Sequence, residues 1–272
     1  RRMKLIDFLK EDDDIYRVYD KAEKVASGIT ISIEELSNHL NKLGYELIGA
    51  GAFSRVFSKP DSDYVLKIVK PSRLNCTAAY LKLGRAANKN KHLPKVLKLK
   101  RFNVNSQGGK IILVAAVEKL SPFNIYRVRM TKDKKYNYGF LAFLAIVIFD
   151  IQEGLLGTEN SEVENNERLI FEKFLMSYDN GNFHKQFVSG YPQSGNAGSF
   201  FKFIQTHEDV LVQMQNMAKA WVRSYSHTPF VRAFNIIQEL RTNYDRCGLD
   251  LHEGNIMMRQ DGTIVITDPV TG

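Results

Sequence analysis

One run of this 272-residue chain combines residue types that can do chemistry together: Leu249-Asp250-Leu251-His252-Glu253-Gly254-Asn255-Ile256-Met257. A short turn separates it from Ile264-Val265-Ile266-Thr267-Asp268-Pro269. A carboxylate such as Asp250 can accept the proton of an attacking hydroxyl. The Asn255 amide oxygen and the Asp268 carboxylate are hard donors of the kind Mg²⁺ prefers. Together these groups suit phosphoryl transfer, where metal bridges the phosphates and a carboxylate receives the hydroxyl proton. Each residue alone has a plainer reading: Asp250 as a turn residue, Asn255 as a turn cap, Asp268 as the start of a turn. Their joint occurrence in this order carries the argument.

A second constellation lies upstream, at Gly49-Ala50-Gly51-Ala52-Phe53-Ser54-Arg55-Val56-Phe57. Two glycines between strands let backbone N–H groups approach phosphate without an intervening Cβ. A strand with Val65-Leu66-Lys67-Ile68 follows. A lysine flanked by apolar residues can reach nucleotide phosphates, or snorkel from a sheet edge. The glycine hairpin alone leaves both open.

The order glycine loop, strand lysine, Asp, Asn, Asp is that of protein kinases, whose catalytic loop also spaces Asp and Asn five positions apart. Gly49–Ser54, Asp250–Met257 and Ile266–Val270 resemble the early serine/threonine protein kinases of T-odd podophages (the autographivirus group), with their G-x-G-x-F-S, D-x-H-x-G-N-I-M and I-T-D-P-V motifs. The resemblance implies an α+β, two-lobed protein-kinase-like fold. A small antiparallel β lobe would join a mostly helical large lobe, with a truncated C-terminal lobe. It also implies that Asp250 is the catalytic base, with His252 near the transferred phosphate or simply a structural histidine. Asn255 and Asp268 would hold Mg²⁺, Lys67 would touch the phosphates of ATP, and Gly49, Gly51, Phe53 and Ser54 would cover them. Glu118 to Leu120 would form the hinge whose backbone meets adenine. The substrates would be serine or threonine residues of host proteins, the transcription machinery included, in the cytoplasm of an infected bacterium.

The sequence departs from kinases in several places. Ser54 replaces a third glycine, Leu249 replaces the Arg before the catalytic Asp, and Pro269 stands where Phe-Gly would follow the metal Asp. No acidic residue lies between Asp63 and Glu118, so Lys67 lacks the usual helix glutamate. Glu34 or Glu35, Asp268, or ATP itself could order it. The acid-free stretch favours ATP.

These residues must be positioned by elements that the patterning predicts. Residues 1–44 form an N-terminal helical extension, in which Ser32-Ile33-Glu34-Glu35 reads as a capping box and Gly44 as a stop. Residues 45–120 form a small lobe with strands Tyr45–Ile48, Val56–Ser58, Tyr64–Val69, Val96–Val104 and Ile111–Glu118, and a helix over Thr77–Ala87. Residues 121–272 form a helical lobe: an apolar segment Lys134–Leu156, then helices Glu162–Tyr178, His207–Tyr225 and Phe230–Cys247. Asp179–Ser199, rich in Gly, Asn and Ser, reads as a long loop. Strands Ile256–Arg259 and Thr263–Thr267 close the chain, and nothing in the resemblance matches residues 158–206.

Composition bounds the alternatives. Apolar residues are 44% and charged residues 25%, which excludes a disordered chain. The uncharged run Tyr136–Phe149 spans 14 residues, short of the ~20 a membrane helix needs. Two cysteines are too few for a disulfide framework or a Cys-rich zinc site, and fit a reducing compartment. The net charge is +8, and twelve of the 38 Lys and Arg residues fall between Asp63 and Glu118. They suit an acidic protein surface or a plain solvated face. No aromatic residue alternates with Lys82–Lys100, which argues against a nucleic-acid platform. Two further functions fit: a small-molecule phosphotransferase of aminoglycoside type, which shares D-x-H-x-x-N, and a pseudokinase that binds a host protein without catalysis.

Overall fold

A computed structural model describes residues 33–51, 54–69, 76–77, 80–81, 90–104, 110–149, 162–187, 199–243 and 248–271. The architecture is α+β. Helix α1 (Ile33–Lys42) leads into a sheet of β1 (Glu46–Ala50), β2 (Ser54–Ser58), β3 (Tyr64–Val69), β4 (Val96–Val104) and β5 (Lys110–Glu118). The strand order is β1-β2-β3-β5-β4, and every pairing is antiparallel. The expected helix start at Ser32 lies outside the described residues. The helix end is as expected. Gly44 sits at φ +82°, Tyr45 N–H donates to the Leu40 carbonyl and Gly44 N–H to that of Asn41, each at 3.0 Å. That pairing satisfies the last carbonyls of the helix.

Alternation along β3 sets the two faces of the sheet. Tyr64, Leu66 and Ile68 point one way and are almost fully buried, with Phe57 and Leu40 also in that layer of the core. The Tyr45 and Tyr64 hydroxyls meet there at 2.7 Å. Val65, Lys67 and Val69 point the other way, where Val69 packs with Leu81, Leu113 and Ala115. Leu81 belongs to a helical stretch of which Cys76, Thr77, Tyr80 and Leu81 are described. Cys76 is buried and disulfide-bonded.

After β5 the chain passes through β6 (Ser121–Pro122) into α2 (Lys134–Phe143), capped by the Asp133 side chain on Tyr136 N–H. A wider π-helical turn, Leu144–Ile148, continues α2. The long apolar run is therefore a core helix: residues 137–145 are all buried. Gly139 is required by packing. A Cβ there would lie 2.5 Å from Trp221 Cβ, so α2 and the helix that carries Trp221 approach more closely than any larger residue permits. The remaining helices are α3 (Glu162–Ser177), α4 (Asn182–Lys185), α5 (Ser199–Thr206), α6 (Glu208–Ser224) and α7 (Pro229–Asn243). Among the described residues, no helix is long and apolar enough to cross a membrane.

The long loop expected over Asp179–Ser199 is corrected in its first half. Asp179, Asn180 and Gly181 take three consecutive left-handed conformations, at φ 52°, 55° and 75°. Asp and Asn tolerate that region better than most side chains. The Asp179 carboxylate accepts from the Tyr138 hydroxyl at 2.5 Å and from Lys134 Nζ at 3.0 Å. Helix α4 follows at once, with Phe183 and Phe187 buried. Polar composition suggested a loop; two buried aromatics and an anchored carboxylate make a packed corner.

The chain closes with β7 (Gly248–Leu249), β8 (Ile256–Met258), β9 (Ile264–Ile266) and β10 (Val270–Thr271). Strand β8 lies between β6 and β9. Ile256, Met258, Ile264 and Ile266 anchor this hairpin in the main core.

Candidate active site

Short backbone pairings bring the C-terminal constellation together. Strands β7 and β10 pair antiparallel, Leu249 opposite Val270, and Asp250 N–H donates to the Pro269 carbonyl at 2.8 Å. Asp250 therefore lies beside the residue that follows Asp268. On the hairpin, Ile256 faces Ile266, and Thr267 N–H donates to the Asn255 carbonyl at 2.8 Å. Asn255 thus sits across from the residue before Asp268.

The five-residue spacing closes a loop. Asn255 Nδ2 donates to the Asp250 carbonyl at 2.7 Å, and Asn255 N–H to the His252 carbonyl at 3.0 Å. A carbonyl can only accept, so the amide nitrogen must face Asp250. The amide oxygen, a hard donor, is left for a cation. His252 Nδ1 accepts from Gly254 N–H at 3.2 Å, which places the ring proton of the neutral form on Nε2. That nitrogen lies 3.9 Å from Asp250 Oδ1. A Cβ on Gly254 would meet His252 Cε1 at 2.9 Å, so this fold of the imidazole needs glycine. Both side chains are about two-fifths exposed.

Lys67 reaches this cluster from the sheet. It stands on β3 between Val56 of β2 and Ala115 of β5, and it is buried. Its ammonium meets Asp268 Oδ2 at 2.6 Å. The expectation that only ATP orders Lys67 is thereby corrected: Asp268 pairs with it directly. The sheet and the hairpin meet in this region and carry the two residues into contact, which local sequence cannot reveal. The other carboxylate oxygen, Asp268 Oδ1, is buried with no hydrogen-bond partner among the described residues. A buried anionic oxygen without a donor is costly unless something positive reaches it.

The glycine loop is described in part. Gly49 lies in β1 opposite Val56, and Gly51 N–H donates to the Ser54 carbonyl at 3.0 Å. Ser54 opens β2, opposite Val69 of β3, so the loop springs from the strand beside Lys67. Phe53 lies outside the described residues.

Glu118 ends β5, and Leu120 follows it in the link to β6. The Glu118 side chain has a role that its sequence position did not announce. Its carboxylate takes the Arg259 guanidinium, Nε to Oε2 at 2.9 Å with a second bond from NH2 to Oε1. It also accepts from Lys95 N–H at 2.7 Å. Arg259 further donates to the Lys91 and Leu93 carbonyls. The hairpin is thus bolted to the end of β5 and to the 90–95 loop. His92 adds two bonds: its Nδ1 to the Ile264 carbonyl at 2.7 Å, and its own carbonyl to Ile266 N–H at 3.0 Å. Burial lowers the His92 imidazole to about 4, and the Lys91 and Arg259 cations push the same way. Neutral His92 therefore donates from Nδ1. Sequence reading missed Arg259 and His92, since a turn arginine and a lone histidine carry no local signal.

Among the described residues, no three His, Cys, Asp or Glu side chains gather to hold a metal by themselves. A magnesium ion that arrives on nucleotide phosphates needs only one or two protein oxygens. Asn255 and Asp268 supply that number, and the unpartnered Asp268 Oδ1 fits it. No protein-family model matches the chain, and no curated protein matches it.

Proposed function

We propose that the chain is a protein-kinase-like phosphotransferase, two-lobed in plan, that transfers the γ-phosphoryl group of ATP to serine or threonine of protein substrates. The observation that carries this reading is Asp268, with one oxygen on Lys67 and the other buried without a donor among the described residues. Asn255 and Asp268 would hold Mg²⁺, which when bound offsets the charge of the phosphates. Asp250 would accept the proton of the substrate hydroxyl, which strengthens that oxygen as a nucleophile. His252, with its Nε2 proton toward Asp250, would help to hold that carboxylate. Lys67 would place a cation beside the phosphates, and the backbone around Gly49 and Gly51 would cover them. The backbone of Glu118 to Leu120 would meet adenine.

The resemblance to the podophage kinases supports a bacterial host and substrates among its proteins, the transcription machinery included. That extension rests on analogy, since one fold hosts many functions. The test is radiolabelled ATP with bacterial lysate, wild type beside Asp250→Ala. Label on proteins with wild type alone supports the reading. Label on an added aminoglycoside and on no protein would favour a small-molecule phosphotransferase. No transfer, and the same ATP affinity with Mg²⁺ as with EDTA, would favour a pseudokinase.

A further inference from the structure

The helical stretch that includes Tyr80 has no carboxylate to offer Lys67, since residues 64–117 contain no acidic residue. It is nonetheless tied to the site. Tyr80 is 1% exposed, and its hydroxyl donates to the Ile266 carbonyl, two residues before Asp268. The Ile266 N–H is taken on the same side by the His92 carbonyl at 3.0 Å. The N–H and the carbonyl of Ile266 therefore both point away from β8, and both are satisfied by residues that precede β4. The Ile266 side chain is fully buried, and no water can replace the Tyr80 donor without opening the core.

We infer that Tyr80 is a positioning residue for Asp268: its hydroxyl holds the outgoing end of β9 at the depth and rotation that aim the Asp268 carboxylate at Lys67 and at the cation position. The inference rests on the reading of Asp268 as a metal ligand. It assigns to a tyrosine the link between helix and site that the missing glutamate cannot make. Burial raises the Tyr80 phenol well above its ordinary range, and the Asp268 charge raises it further, so the group remains a donor. A donor two residues from a ligand acts as outer-shell partners of metal ligands do: it fixes orientation without touching the ion.

The test is Mn²⁺ binding with a non-hydrolysable ATP analogue, read from the paramagnetic resonance of free Mn²⁺. Tyr80→Phe keeps the ring and removes the donor. It should weaken Mn²⁺ about tenfold, the lower end for outer-shell loss. The control is Tyr225→Phe, which removes a hydroxyl that donates to Asp133 at 2.6 Å, and it should leave Mn²⁺ affinity unchanged. Equal affinity in Tyr80→Phe and wild type would overturn the assignment while leaving the metal site intact. No Mn²⁺ binding by wild type would remove the metal reading itself and the assignment with it. If Tyr80→Phe does not fold by circular dichroism, Tyr80→4-fluorophenylalanine fills the hydroxyl's space without a donor and is read in the same way. Failure of both to fold would show that Tyr80 serves the fold alone, and would overturn the inference.

Discussion

Lys67 and Asp268, 201 positions apart, meet at 2.6 Å. The pair is only partly screened, with the lysine side chain 11% and the aspartate 31% exposed. It gives the strand lysine a carboxylate that residues 64–117 lack. Lys67→Ala should therefore abolish most phosphoryl transfer. Glu34→Gln and Glu35→Gln should change it less than about threefold, under ~0.7 kcal/mol of barrier. Steady-state kinetics of the three variants decide this. A glutamine variant that fell as far as Lys67→Ala while still folded would make the N-terminal helix a second partner.

The Asp250 backbone, not its side chain, ties the loop together, since its carbonyl accepts from Asn255 Nδ2 and its N–H donates to the Pro269 carbonyl, so replacing the carboxylate should leave the loop in place. Asp250→Asn should keep ATP affinity within a few-fold and cut transfer by ~10²-fold or more, the scale of a lost general base. Calorimetry and single-turnover transfer on the same preparation separate the two effects. Transfer near the wild-type rate would take Asp250 out of the chemistry.

The Arg259–Glu118 clamp is nearly buried, with side chains 15% and 13% exposed. Arg259→Ala leaves the Glu118 carboxylate without its cation and the Lys91 and Leu93 carbonyls without the guanidinium donor. Breaking one partner of such a pair costs about 3 kcal/mol. Urea unfolding should show a loss of that order. Arg259→Lys should recover only part of it, because an ammonium cannot reproduce the guanidinium fork. Full recovery with lysine would mean that charge alone matters here.

His92 makes stability depend on acid. Its folded pKa, about 4, lies below the ordinary 6.5. The neutral form is favoured in the fold, so the unfolded chain binds the proton first. Stability is complete above pH 6.5 and falls as pH drops toward 4. By linkage, His92 accounts for a loss of about 2 kcal/mol between pH 7.5 and pH 5. Unfolding at both values should show this fall in wild type and a smaller one in His92→Gln, which can still donate to the Ile264 carbonyl. Parallel curves for the two proteins would remove His92 as the cause.

Gly139→Ala should be severely destabilising, by about 1–3 kcal/mol or more. The new methyl would collide with Trp221 Cβ, which cannot swing aside as a side-chain tip could. Thermal unfolding, set beside Gly51→Ala, checks this, since nothing among the described residues lies within 4 Å of a Cβ at Gly51.

Local pattern determined much of this protein. Strands Tyr64–Val69 and Val96–Val104 have the predicted bounds, and helix α3 ends one residue before its expected limit. Alternation, helical spacing and turn chemistry act over a few residues, so the chain displays them directly. The spacing of Asp250 and Asn255 belongs to the same class, because one side chain closes on the other's carbonyl within a single loop. Tertiary structure alone decided which distant groups share a site. Asp268 on Lys67, Tyr80 on the Ile266 carbonyl and Arg259 on Glu118 each span 141 to 201 positions. Such contacts depend on how the hairpin seats against the sheet, which no local period encodes. Asp179–Phe187 shows the same limit from the other side. Its polar residues predict a loop, but burial of Phe183 and Phe187 and the bonds to Asp179 outweigh that local preference.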